Sequence, residues 1–145
     1  MGHIVTFQTQ TVLSGEVFGE ALAADAPLSF WGGIDPDTGE IIDRRHPLSG
    51  SNVAGRVLVI PFGRGSCSGS GILLESIRNG TAPVAIVTSH IDQIISLGAI
   101  LGDELYGTYP VVLVMAKEDR LQISTGDMVA IGANGLARIT PAGGV

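Results

Sequence analysis

Two rhythms run along this chain: short β-type runs at both ends, and longer apolar runs with helical spacing between them. Residues 4–7 and 11–13 are rich in Ile, Val, Thr and Phe and predict a first strand or hairpin. Residues 21–26 are small and fit a loop or a single helical turn. A short strand ending at Trp31 runs into Gly32-Gly33, and Asp35-Pro36-Asp37-Thr38-Gly39 is turn chemistry. Residues 41–43 resume as a strand, and His46 to Ser51 form a loop. Arg56 to Pro61 is a continuous β-branched run, the mark of a strand buried on both faces. In residues 72–78 the spacing changes to that of a helix, with Ile72, Leu73, Ser76 and Ile77 on one face and Asn79-Gly80 as its stop. Residues 82–87 predict a second buried strand. Residues 92–101 predict a second helix with Ile94, Ile95 and Leu97 inward, and residues 111–115 a third strand. Residues 121–123, 128–131 and 137–139, separated by Thr125-Gly126-Asp127 and Asn134-Gly135, predict closing β-hairpins.

This order places parallel crossovers in the middle and antiparallel strands at the ends. The expected class is α/β: a mixed β barrel or sandwich core with a few short flanking helices, one domain over residues 1–145. Composition supports a packed core, since hydrophobic residues make up 45% of the chain and charged residues 15%. Aromatics are only 5%, so aliphatic side chains must fill that core. The net charge is −6, and no cluster of Lys or Arg is present to neutralise phosphates, which argues against a nucleic-acid partner. No apolar run reaches membrane-spanning length, so no membrane partner is expected. The first ten residues lack the pattern of a signal peptide. With Cys67 as the only cysteine, the expected location is the cytoplasm.

The segment with most chemistry is Pro61-Phe62-Gly63-Arg64-Gly65-Ser66-Cys67-Ser68-Gly69-Ser70-Gly71, between a buried strand and a helix. Free N–H groups at a helix start favour an anion such as a carboxylate or phosphate. The glycines admit a ligand close to the backbone, Arg64 is suited to clamp a carboxylate, and Ser66 and Ser68 offer hydroxyls. The same loop also has a purely structural reading, with Ser70 as an N-cap. It is neither a Walker A loop nor a dinucleotide fingerprint of the usual spacing.

Three stretches carry a family resemblance: Arg56-Val-Leu-Val-Ile-Pro-x-Gly-Arg-Gly-Ser66-Cys-Ser-Gly-Ser, Phe30-Trp31-Gly32-Gly33-x-Asp35-x-x-Thr38-Gly39, and Thr125-Gly126-Asp127. Together, over about Gly19 to Ile139, they resemble the small domain of aconitase X. The resemblance implies a swivelling β/β/α unit, here the small subunit of a hydro-lyase that acts only with a large subunit. It implies an iron–sulfur cluster held by that large partner, with none bound by this chain. It also implies a small anionic substrate, cis-3-hydroxy-L-proline or 5-phosphomevalonate, with the former favoured by the alanine- and glycine-rich, lysine-poor composition. Ser66 matches the serine that acts as base in the wider aconitase family. The position of that family's substrate-binding arginine is taken by Ser68, so a tricarboxylate like isocitrate is not expected, and Arg64 is the candidate to bind the anion instead. The expected site is Ser66 as base, Ser68 being the other serine that could serve, with Arg64, Gly65, Cys67, Ser68, Trp31, Gly32 and Gly33 around the substrate.

Other readings stand beside these. Cys67 is either a cluster ligand or a small buried filler. Trp31 either covers a substrate or caps the barrel core. Asp35 is either an acid or part of its turn. Thr88-Ser89-His90 and Gly126-Asp127 also resemble phosphohistidine carrier domains, in which His90 would carry phosphate, although the glycine pair before that motif is missing. A binding module without catalysis is the third alternative. His3 and His46 are isolated, and no histidine pair has metal-ligand spacing.

Overall fold

The structure, a computed structural model, describes residues 3–64 and 68–142. Eight strands form one nearly closed, barrel-like sheet: β1 (Val5–Gln8), β2 (Gln10–Leu13), β3 (Val17–Ala23), β4 (Val57–Val59), β5 (Ala85–Thr88), β6 (Val111–Val114), β7 (Met128–Ile131) and β8 (Leu136–Thr140). Their spatial order is β1-β8-β7-β3-β4-β5-β6-β2. Three helices, α1 (Ser68–Asn79), α2 (Gln93–Tyr106) and α3 (Lys117–Arg120), complete it.

The sheet folds into two halves at two corners. β3 pairs antiparallel with β7 through Val17–Glu20, then parallel with β4 through Ala21–Ala23. The other corner is Thr9: β1 pairs with β8, β2 pairs with β6, and one residue separates them. Thr9 is clasped there by Gly135, whose carbonyl accepts from both the Thr9 backbone N–H (3.1 Å) and its hydroxyl (2.6 Å). Of the strand or hairpin expected over residues 4–7 and 11–13, the strand reading holds and the hairpin does not form. One residue is too short for a turn, and the alternating run is a bent strand passing from one half to the other.

Alternation along the parallel strands β4, β5 and β6 builds two cores. Val57, Val59, Ala85, Val87, Val111 and Leu113 face the antiparallel half and meet Val129, Ile131, Ala137 and Ile139. Leu58, Ile60, Ile86 and Val112 face the other way, onto Leu73, Ile77, Ile95 and Ala99 of the helices. The layers are thus β/β/α, as expected, and the predicted central strands fall where the periodicity put them.

Several local expectations need correction. Residues 21–23 are strand rather than loop or helical turn. Their small side chains hide the β signal, because β3 runs close to its neighbours: a Cβ on Gly19 would lie 3.1 Å from the Gly55 carbonyl oxygen. Residues near Trp31 and 41–43 make only isolated bridges, Leu28 with Gly63 and Ile34 with Ile41. Residues 121–123 are not a strand; they leave α3 in a turn. Leu97 is exposed, while Gly98 and Ala99 face inward.

Helix α1 begins at Ser68, inside the Gly/Ser run that reads as loop, because tertiary packing overrides poor helix propensity. α1 and α2 approach too closely for larger side chains. A Cβ on Gly98 would lie 3.0 Å from Leu73 Cδ2, and one on Gly102 would lie 2.6 Å from Ile77 Cδ1. Helix α2 ends as such helices commonly do, on Gly107 with φ +68° and its N–H donating to the Asp103 carbonyl. Among the described residues no helix is long and apolar enough to cross a membrane.

Candidate functional site

The C-terminal ends of β3, β4, β5 and β6 lie side by side, and their loops form one edge of the domain. In parallel sheets such an edge is the usual place for ligands. The segment between β4 and α1 leaves the sheet there. It is stitched to the loop after β3, where Leu28 N–H donates to the Phe62 carbonyl (3.4 Å) and Arg64 N–H donates to the Leu28 carbonyl (3.1 Å). On its other side Ser89 N–H donates to the Pro61 carbonyl (2.9 Å).

Gly65, Ser66 and Cys67 lie outside the described residues. The residues flanking them are described. Arg64 and Ser68 are exposed at this edge, and Ser68 is the first residue of α1. Ser70 is not an N-cap: it is buried within α1, and its hydroxyl donates to the Ile94 carbonyl in the first turn of α2 (2.7 Å).

The second motif divides into two parts. Phe30 is buried, and its Cβ lies 3.8 Å from where a Cβ on Gly69 would be, so the turn carrying Trp31 packs on the start of α1. Trp31 itself is 60% exposed, which rules out the reading that it caps the barrel core. Gly32 has φ +78° and open space where a side chain would go. Gly33 is different: a Cβ there would lie 2.0 Å from the Ser29 carbonyl oxygen, so packing of its own turn accounts for this glycine. Gly33→Ala is expected to destabilise the domain by about 2 kcal/mol, because a backbone atom cannot give way as a side chain does. Urea unfolding measures this.

The rest of that motif is architecture. Asp35 Oδ1 accepts from Asp37 N–H (2.9 Å) and Gly39 N–H donates to the Asp35 carbonyl (2.7 Å), which gives Asp35 a role in its turn. The turn ends at the far end of α1, where Asn79 Nδ2 and Thr81 Oγ1 donate to the Pro36 carbonyl (3.0 and 2.6 Å). Thr125-Gly126-Asp127 is likewise structural. Thr125 Oγ1 accepts from Ala23 N–H (2.9 Å), and the buried Asp127 carboxylate accepts from Ser124 and Ala142 N–H groups (2.8 and 3.0 Å).

Three residues at the edge were not singled out as site residues from the sequence. Arg120 is buried: its Nε donates to Ser89 Oγ (2.7 Å) and an Nη to Asp25 Oδ1 (2.9 Å), joining the loops after β3 and β5 to α3. In Lys-Glu-Asp-Arg it reads only as surface charge. Asp92 is the N-cap of α2, and the residue type before an apolar helical run signals that role. His46, buried, holds residues 43–48 to the loop after β3, with Nδ1 accepting from Leu48 N–H (3.1 Å) and Nε2 3.3 Å from the Ala26 carbonyl. His90 is exposed beside a cleft of about 490 Å3 lined by Pro27, Phe62, Lys117 and Arg120 among others.

An iron–sulfur cluster does not fit this chain. It has one cysteine, where a cluster takes about three or four thiolates. Among the described residues no group of three or more His, Cys, Asp or Glu side chains is placed to hold a metal ion.

Comparison with known proteins agrees with this architecture. The family model described as Aconitase X swivel domain matches residues 6–139. The chain is 44% identical to a cis-3-hydroxy-L-proline dehydratase of Pseudomonas aeruginosa over 97% of its own length and 24% of that protein's. It is 40% identical to the phosphomevalonate dehydratase small subunit of Methanopyrus kandleri, covering 83% of this chain and 85% of that one. The chain therefore spans about a quarter of the length of the hydroxyproline enzyme and most of the small subunit. A crystal structure of Thermococcus kodakaraensis aconitase X in its holo-form superposes with a TM-score of 0.84 at 30% identity, over 94% of this chain and 99% of the matched one. These likenesses, with the β/β/α layers and the Gly/Ser segment at the C-terminal edge of the parallel strands, place the chain in the aconitase X swivel-domain family.

Proposed function

We propose that this chain is the swivelling part of an aconitase X-type dehydratase and supplies the base, Ser66, to a site completed by a large partner that holds the iron–sulfur cluster. What supports the reading is where the described residues on either side of Ser66 lie: Arg64, beyond the C-terminal end of β4, and Ser68, the first residue of α1, are both exposed at the edge where four strand ends meet. The large partner is a second subunit, as the name of the Methanopyrus relative implies, or further sequence in the same polypeptide, as in the Pseudomonas relative.

In the proposed reaction a C–H bond and a C–OH bond break on neighbouring carbons. The Ser66 alkoxide takes the proton, the C–H electron pair becomes the new π bond, and hydroxide departs; transfer of that proton from Ser66 through solvent to the hydroxide gives water and restores the alkoxide. Serine is too weak an acid to be an alkoxide without help. Ser66 lies two residues ahead of α1, whose first N–H groups and positive end favour an oxyanion. Arg64, exposed just before the segment, is suited to a substrate carboxylate or phosphate. Gly65, Cys67 and Ser68 are proposed to line the same anion, with Trp31, Gly32 and Gly33 at its side. The favoured substrate is cis-3-hydroxy-L-proline, supported by the 44% identity to the Pseudomonas enzyme over nearly all of this chain. Phosphomevalonate is the second candidate, supported by the small-subunit relatives.

The test is an anaerobic dehydratase assay on both compounds with the complete enzyme and with each part alone. Turnover of one compound that needs both parts supports the reading and names the substrate. A complete, cluster-loaded enzyme that dehydrates neither overturns it. Trp31, the chain's only tryptophan, offers an independent check. Its emission is expected to shift to the blue when the large partner and substrate close over it. Trp31→Ala should leave stability within about 0.5 kcal/mol, since the ring is mostly exposed.

A further inference from the structure

We infer that Asp92 is a positioning residue for the β4–α1 connection, tethering Gly63 to the start of helix α2; the catalytic consequence for Ser66 rests on the function proposed above. Asp92 uses its two carboxylate oxygens differently. Oδ1 accepts from Ile95 N–H at 3.0 Å, the ordinary bond of a helix N-cap. Oδ2 accepts from Gly63 N–H at 2.8 Å, across 29 residues of sequence. Capping needs only the first bond. The second reaches out of the helix to the segment that leads to Ser66.

The surroundings fit a tether. A Cβ on Gly63 would lie 2.8 Å from Asp92 Oδ2 and 3.1 Å from Ile95 Cδ1, so this glycine lets the loop sit down on the helix start. On the far side of residues 65–67, the Ser70 hydroxyl bonds the Ile94 carbonyl, and a Cβ on Gly69 would lie 3.1 Å from Ile94 Cγ2. On each side of residues 65–67 one anchor therefore comes from the first turn of α2 and its cap, beside the bonds of Phe62 and Arg64 to Leu28. The close α1–α2 packing at Gly98 and Gly102 keeps that turn fixed relative to α1. A base displaced by about 1 Å loses much of its rate, so a carboxylate that fixes the loop acts on turnover without touching substrate.

Substitution separates the two roles of Asp92. Serine caps helices as well as aspartate does but is too short to bond both N–H groups. Asparagine keeps one oxygen and sets an NH2 against the other N–H. In the complete enzyme, Asp92→Ser is expected to lower kcat by about tenfold or more, with KM within about threefold, at near-wild-type thermal stability. Amide hydrogen exchange should show Gly63 losing protection while Ile95 keeps it. Asp92→Asn should expose one of these two amides. Wild-type kcat in both folded variants, or an unchanged Gly63 amide, would overturn the inference. Wild-type turnover by Ser66→Ala would remove the base assignment alone, since the Gly63 exchange and the Asp92→Ser rate would still report the tether.

Discussion

Ser66→Ala is expected to lower kcat of the complete enzyme by about a thousandfold, roughly 4 kcal/mol of transition-state stabilisation, with little change in KM. Alanine removes the only atom asked to take the proton and leaves the glycines and the helix start in place. The loss should therefore fall on the chemical step rather than on binding. Ser68→Ala is the informative companion. Ser68 is the first residue of α1 and is exposed, so its hydroxyl is suited to orient an anion, and a loss below about tenfold is expected. Steady-state kinetics on anaerobically prepared enzyme decide the matter. If the Ser68 variant is the crippled one, the two serines exchange roles.

The second large effect concerns stability and is asymmetric. Asp25→Ala is expected to cost about 3 kcal/mol, and Arg120→Met only about 1 kcal/mol. The Arg120 side chain is 2% exposed, whereas that of Asp25 is 52% exposed. Removing the aspartate strands a buried guanidinium without its counter-charge. Removing the arginine leaves a carboxylate that water can reach, and Met fills much of the same space. Asp25 is already half in solvent, which keeps the first figure at the low end for a broken buried pair. Urea unfolding of the two variants and the double variant gives both numbers and their coupling. Equal losses would mean that the pair holds the loops by shape rather than by charge.

The sheet was legible where both faces are buried. Arg56–Pro61 and residues 111–115 advertise themselves by β-branched runs, and Asn134-Gly135 marks the β7–β8 hairpin, with Gly135 at φ +83°. Strand β3 was not legible, because close packing selects Gly19, Ala21 and Ala23 over the residues that signal a strand. The start of α1 was hidden for the same reason: the Gly/Ser composition that lets α2 approach reads as loop. At the site, the segment around Ser66 stands out from its position between strand and helix. The second bond of Asp92 does not, since its partner is 29 residues away and only the folded chain brings them together. Asp127 shows the converse: it belongs to a motif quoted for the family, yet its own contacts explain it as architecture.

The corner at Thr9 bears on how the chain reaches its folded form. Among the described residues strand β1 pairs with β8 alone, so residues far apart in the sequence must meet before the sheet nearly closes. Ribosomes deliver roughly 5–20 residues per second, and the first two strands therefore emerge many seconds before the segment that pairs with β1. The parallel strands and their two helices can assemble in the meantime, leaving the opening stretch as loose ribbon. Such non-local closure places the domain among slow folders, in the range of milliseconds to seconds, with ring closure as the late event.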